Sequence, residues 1–300
     1  GASLQSGRRT AAGRYDSGSL AAICTNKLGV ANHMLTFRTI SISDQPWITK
    51  ALRQSNFQGC EYCFSNNLAW YRASNSKIAP FQDFYLIAAF DTADGIPDVT
   101  VPSGSGDWAA LFRELRDTLC PNGEPLRFTG VTRETAVWLQ KWFPSAVWEP
   151  DAAAFDYIYR TEDLITLKGK RYHKKRNHLN QFRSRYNWTF SPLTAADMEE
   201  CIAFSASLYN EKAGYDSRSS VVEQFAIHTF FTHFETLGLC GGVLRVDGKL
   251  VGFSIGEPLN QDTFVTHIEK ADISYAGAYT ALTQAFTERF ASGYSYINRE

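Results

Sequence analysis

The chain has 300 residues, 44% of them hydrophobic and 14% aromatic, with 30 Lys and Arg against 31 Asp and Glu for a formal charge of −1. This composition excludes a disordered polymer and supports a large buried core, and at roughly 100–200 residues per domain the length suggests two domains. No window reaches the about 18 consecutive apolar residues of a spanning helix and the N-terminus carries no signal-type apolar segment, so the expectation is a soluble, cytoplasmic protein with no transmembrane segment.

Residues 1–33 are rich in Gly, Ser, Ala, Thr and Arg and lack hydrophobic periodicity, which predicts a flexible extension without a function of its own. From Met34 the sequence changes to LTFRTISISDQPWITKALRQ, an apolar alternation followed by a helix capped at Ser43 or Asp44. A first domain over 34–150 then alternates strand and helix signals. Leu68 to Tyr71 and Phe84 to Phe90 read as strands, and Val99 to Val101 is a short apolar piece. Asp107 to Leu119 is an amphipathic helix with Trp108, Leu111, Phe112, Leu115 and Leu119 on one side. Leu126 to Thr129 is another strand, followed by a helix capped by Thr132 and running to about Trp142. This is α/β texture.

Two local motifs in this half carry little chemistry. Gly104 and Gly106 in PSGSGD stand before a helix, but glycines there serve the turn more often than a phosphate. The C-x-x-C at Cys60 and Cys63 lacks the second pair of a zinc ribbon and the βαβ context of a thioredoxin motif. Reduced, structural cysteines and no metal site are expected.

Pro144 to Ala154 reads as the joint, and a second domain covers 151–300. It opens with a strand at Phe155 to Tyr159 and then concentrates the positive charge of the chain. Between Lys168 and Arg185 stand eight Lys or Arg and no Asp or Glu, leaving −9 on the other 282 positions. A local basic patch implies an anionic partner. At about 100° per residue Tyr172, Leu179, Phe182 and Tyr186 form one apolar stripe, with the helix start set by Gly169. Lys174, Lys175 and Arg176 point in three directions, and Lys175 falls inside the stripe. An unpaired buried ammonium is costly, so Lys175 either snorkels to water or meets an anion in a cleft.

Beyond a strand at Trp188 to Phe190, helices are expected from about Ala195 to Asn210 and from Val221 to Leu237. His228 and His233 on the latter are about 140° apart, unsuited to shared metal ligation. A hairpin follows, GGVLRVDGKLVGFSIGE, turning at Asp247-Gly248. In the next strand, Thr263 to Lys270, strict alternation puts Val265, His267 and Glu269 on one face. Then come the turn ADISYAGAY, a helix from Tyr279 to Phe290 and a strand from Tyr294 to Asn298. Backbone amides at Ala276, Gly277 and Ala278, at the head of that helix, suit a phosphate.

The segments CEYCFSNNLAW, DYIYRTEDLITLKGKRYHKKRNHLNQF, HIEKADISYAGAY and YINRE together resemble the family named for the C-terminal domain of phosphatidylglycerol lysyltransferase, over about Met34 to Glu300. The resemblance implies an α/β (α+β) fold of two tandem GNAT-like acyltransferase domains, with mixed central sheets flanked by helices, as in Fem-type aminoacyltransferases. It implies transfer of an acyl or aminoacyl group from a phosphate-bearing carrier, acyl-CoA or aminoacyl-tRNA, to a hydroxyl or amine. In the lysyltransferases the acceptor is an anionic lipid; their multi-span membrane domain has no counterpart in these 300 residues.

Such transfer needs a base for the acceptor, donors for the oxyanion and cations for the carrier's phosphates. Glu269 is the candidate base, His267 its partner or alternative, and Tyr279 the candidate acid for the leaving group. Lys174, Lys175, Arg176 and His178, with the amides of Ala276, Gly277 and Ala278, are the candidate phosphate site, in a cleft shared with Glu269. The competing reading is a non-catalytic nucleic-acid or anionic-lipid binding protein that uses the same basic helix.

Overall fold

A computed structural model describes residues 20–24, 35–151, 155–210 and 217–299. The first half comprises β1 (Leu20–Cys24), α1 (Gln45–Ser55), α2 (Phe64–Trp70), β2 (Ser76–Phe81), β3 (Phe84–Ala89), β4 (Asp98–Thr100), α3 (Trp108–Leu119), β5 (Leu126–Thr129), α4 (Arg133–Leu139) and β6 (Val147–Pro150). Its strands form a mixed sheet in the order β2-β3-β4-β5-β1-β6, in which β4 and β5 run parallel. The second half comprises β7 (Tyr157–Arg160), α5 (Thr161–Thr166), α6 (His173–Arg185), β8 (Trp188–Pro192), α7 (Met198–Asn210), α8 (Ser217–Thr232), α9 (Phe234–Leu237), β9 (Cys240–Val246), β10 (Lys249–Pro258), β11 (Thr263–Ala271), α10 (Ala278–Phe286) and β12 (Tyr296–Arg299). Its sheet runs β7-β12-β11-β10-β9-β8, with β11 and β12 parallel. Two mixed sheets flanked by helices are the expected architecture.

Capping chemistry accounts for several boundaries. Asp107 accepts from the Ala110 amide at the head of α3, and Thr132 accepts from the Thr135 amide at the head of α4. Asp247 and Gly248 take φ of 48° and 80°, the left-handed pair that a two-residue hairpin turn requires. Asp44 ends a short turn and opens α1, buried beneath Arg38, whose guanidinium grips both carboxylate oxygens at 2.8 and 2.5 Å.

Three expectations do not hold. Leu68 to Tyr71 is not a strand; Phe64 to Ala69 are all buried within α2, and Asn66 and Asn67 bond back to the carbonyls of Cys60 and Glu61. A short apolar run fits a buried helix as well as a strand, and buried neighbours on every side select the helix. The helix expected to continue to Leu237 stops at Thr232 and restarts as α9. In the leader, Leu20–Cys24 is β1, paired between β5 and β6 rather than flexible; its other residues, 1–19 and 25–33, lie outside the described residues.

Each face of the second sheet buries a different layer. Phe253, Ile255 and Ile268 pack with Ala226, Ile227 and Phe230 of α8 in a core continuous with that of the first half. On the other face Val251 and Ala271 pack with Leu179 and Phe182 of α6 and with Ala278, Ala281 and Leu282 of α10. The two halves therefore share one apolar layer, while α6 and α10 are fastened to the outer face.

Candidate active site

The apolar stripe of α6 is buried as expected, with Tyr172, Leu179 and Phe182 at 5%, 4% and 0% exposure. Phe182 and the His178 carbonyl are the surface on which the turn before α10 rests. Gly277 has φ of 94°, and a Cβ there would stand 2.4 Å from the His178 oxygen and 3.0 Å from Phe182 Cβ. Glycine is required at Gly277 twice over, by backbone conformation and by close approach. The basic helix and the head of α10 are thus in contact.

The candidate phosphate ligands divide. Lys174 and His178, one turn apart, are exposed on α6, as is Ala276 before α10. Lys175 is half-buried as its place in the stripe demands, and its Nζ lies 5.8 Å from the Tyr159 ring on β7, a cation–π contact. Arg176 donates to the carbonyls of Leu167 and Gly169 and so closes the C-terminal end of α5. The Ala278 amide is taken by the Tyr275 carbonyl. Tyr279 stands 38% exposed in the first turn of α10.

The largest correction concerns β11. Ile255 of β10 pairs with Ile268, and Gly256 with Thr266, so His267 has no register partner. One extra residue is a β-bulge, and it reverses the alternation on which the shared face of His267 and Glu269 depended. His267 stacks on Phe230 of α8, ring centroids 5.0 Å apart. Glu269 instead turns to the outer face, where Thr283 of α10 donates to its Oε1 at 2.8 Å. Arg299 of β12 donates to the same oxygen at 2.5 Å.

Glu269 lies beyond the end of the parallel β11–β12 pairing. β12 pairs with β11 only from Thr263 to Thr266, and β11 continues to Ala271. Glu269 thus projects where the parallel pair has ended, two turns along α10 from its head. Its Oε2 has no partner among the described residues, and its side chain is 9% exposed. Lys270, the next residue of the strand, belongs to the other face, bonded to Glu223 at 2.5 Å and to the Tyr209 hydroxyl at 3.0 Å.

His267 belongs to a polar seam between the halves. Its Nε2 lies 2.9 Å from Glu257 Oε1 and 3.7 Å from Cys63 Sγ, and Cys63 donates to the same Glu257 oxygen at 3.0 Å. Burial, helped by the Glu257 charge, pushes the Cys63 thiol up to about 11. Burial also works against the Glu257 carboxylate, but bonds from His267, Ser65 and Cys63 hold it below the usual range. Nearby, Asp156 accepts from the Cys60 amide at 2.8 Å and from Asn298 at 2.6 Å. A thiol this buried and this weakly acidic is no nucleophile. Arg299, Thr283, Glu257 and Asp156 escaped the reading of the sequence; only the YINRE ending, conspicuous in the resemblance, offered a signal for Arg299.

A groove of about 500 Å³ is lined by residues that include Arg160, Thr161, Tyr294 and Tyr296. No helix among the described residues is long and apolar enough to cross a membrane.

Comparison with known proteins finds structural neighbours and a matching family. A conserved protein of unknown function from Bacteroides thetaiotaomicron is 33% identical and superposes with a TM-score of 0.81 over 89% of this chain and 90% of its own. The C-terminal domain of a putative lysylphosphatidylglycerol synthetase from Agrobacterium fabrum is 13% identical, with a TM-score of 0.48 over 86% of this chain and 78% of its own. A tandem GNAT protein from the clavulanic acid biosynthesis pathway is 10% identical, with a TM-score of 0.43 over 88% and 89%. No match is found among curated proteins. Residues 52–299 match the family described as phosphatidylglycerol lysyltransferase, C-terminal, and the chain belongs to that family.

Proposed function

We propose that the chain is a GNAT-like transferase that moves an acyl or aminoacyl group from a phosphate-bearing carrier, acyl-CoA or aminoacyl-tRNA, to a hydroxyl or amine. The observation that carries this reading is Glu269, held through Oε1 by Arg299 and Thr283 at the point where β11 outruns β12. A carboxylate with one oxygen fixed and the other open is oriented before the acceptor arrives. Oε2 takes the acceptor's proton as its oxygen or nitrogen attacks the acyl carbon. Collapse of the tetrahedral intermediate expels the carrier's thiol or ribose hydroxyl, which takes a proton from Tyr279. Arg299 positions the base. His267, sealed on the other face, has a structural part instead.

Lys174 and His178, with the amides of Ala276 and Gly277, face the carrier's phosphates; contact between α6 and the Gly277 turn makes them one surface. Thermal unfolding of the full chain with coenzyme A, an acyl-CoA, aminoacyl-tRNA or anionic liposomes tests the reading. A true carrier at about 100 times its Kd adds about 2.7 kcal/mol to stability. Stabilisation by none of the carriers refutes the proposal, and stabilisation without transfer to any acceptor supports the non-catalytic binding protein instead.

A further inference from the structure

The polar seam holds a second constellation that the transfer reaction does not use. Cys63 Sγ, Glu257 Oε1 and His267 Nε2 form a closed triangle with sides of 3.0, 2.9 and 3.7 Å. The three come from separate parts of the chain: Cys63 immediately precedes α2 in the first half, Glu257 lies near the end of β10, and His267 is the bulged residue of β11. His267 has a fully buried side chain and Glu257 one that is 14% exposed.

We propose that Cys63, Glu257 and His267 bind one divalent transition-metal ion of the zinc class, contrary to the sequence expectation of no metal. The donor set is a thiolate, an imidazole and a carboxylate, the mixture such an ion accepts. Ligand distances of about 2.0–2.3 Å with tetrahedral angles place donor atoms roughly 3.3–3.6 Å from one another. The triangle brackets that spacing, so an ion is taken up by movements of a few tenths of an ångström. Cys63 loses its thiol proton to solvent on binding. The fourth position falls to water or to the buried Ser65 hydroxyl, which already hydrogen-bonds Glu257.

Two features of the fold support the assignment. First, the bulge in β11 falls at His267, the residue that completes the triangle, and its side chain lies on the face of the sheet that packs on α8. Second, the Phe230 ring of α8 stacks on His267 and holds the imidazole plane. The ion would tie the start of α2 to β10 and β11, clamping the first half to the sheet that carries Glu269. This inference does not depend on the proposed transfer.

The full chain, purified without chelator, is assayed for metal by mass spectrometry, then stripped and titrated with Zn²⁺ and with Co²⁺. One ion per chain is expected, with a thiolate-to-cobalt charge-transfer absorption in the near ultraviolet and a raised melting temperature on Zn²⁺ addition. Cys63→Ser removes the charge-transfer band, whereas Glu257→Gln and His267→Gln weaken affinity by more than roughly 100-fold. Cys60→Ser and Cys120→Ser leave both intact. Circular dichroism confirms folding of each variant; if Cys63→Ser does not fold, the Glu257→Gln and Cys60→Ser pair decides. Absence of stoichiometric binding by the folded chain, or a cobalt band that survives Cys63→Ser or is lost in Cys60→Ser, overturns the proposal in favour of a metal-free hydrogen-bonded cluster.

Discussion

Gly277→Ala perturbs the joint on which the phosphate surface depends, and its cost can be worked from two separate terms. The left-handed conformation, φ of 94°, costs an L-residue about 1–2 kcal/mol. The new methyl would stand 2.4 Å from the His178 carbonyl oxygen, where real contacts begin near 3.0 Å, so α10 must move off α6 by about 0.6 Å. Backbone on one side and buried Phe182 on the other leave no rotamer to absorb it, and overpacking of this kind adds about 1–3 kcal/mol. The expected loss is about 2–5 kcal/mol. Gly169→Ala supplies the control: its φ is 89° but nothing lies within 4 Å, so only the conformational term applies. The midpoint of urea unfolding reads both variants, and carrier titration reads whether the surface survives. A Gly277→Ala protein no less stable than Gly169→Ala would refute the claim that α6 and α10 are pressed together here.

Further outcomes are expected. Asp44 is held well below the usual carboxylate range, first by the Arg38 hydrogen bonds; its contribution is present above about pH 4 and lost as pH falls further, so Asp44→Asn costs about 2 kcal/mol at neutral pH and flattens the acid limb of the stability curve. Burial pushes the thiols of Cys63 and Cys120 up to about 11 and that of Cys201 up to about 12, so a thiol reagent at neutral pH modifies the half-buried Cys60 long before these three, as peptide mapping would show. Lys174→Glu weakens carrier binding and reduces the salt slope of its affinity by about 1, measured by titration at several ionic strengths. Phe182→Ala, which empties the space between α6 and α10, costs about 3–5 kcal/mol in the same urea assay.

Local rules made much of this molecule legible before any coordinates. The capped starts of α3 and α4, the Asp247-Gly248 hairpin, β5 and the buried stripe of α6 all follow from residues within a few positions of one another. Lys175 illustrates the limit of such reading. Periodicity correctly turned it inward, yet could not say that Tyr159, on a strand paired with β12, was waiting there. The bulge in β11 is a tertiary choice that no alternation reveals, and it separated His267 from Glu269. Arg299, Thr283, Glu257 and Cys63 acquired their parts only when distant segments met. The sequence pattern could nominate Glu269, but its two anchors lie 14 and 30 residues away.

Glu269→Gln is the most direct test of the site. The amide oxygen can still accept from Arg299 and Thr283, so folding and carrier affinity should be unchanged while the proton acceptor is gone. With a carrier and acceptor identified by titration, single-turnover transfer should fall by about 10²–10⁴-fold at unaltered carrier Kd. Transfer at the wild-type rate in the folded Glu269→Gln protein would contradict the account.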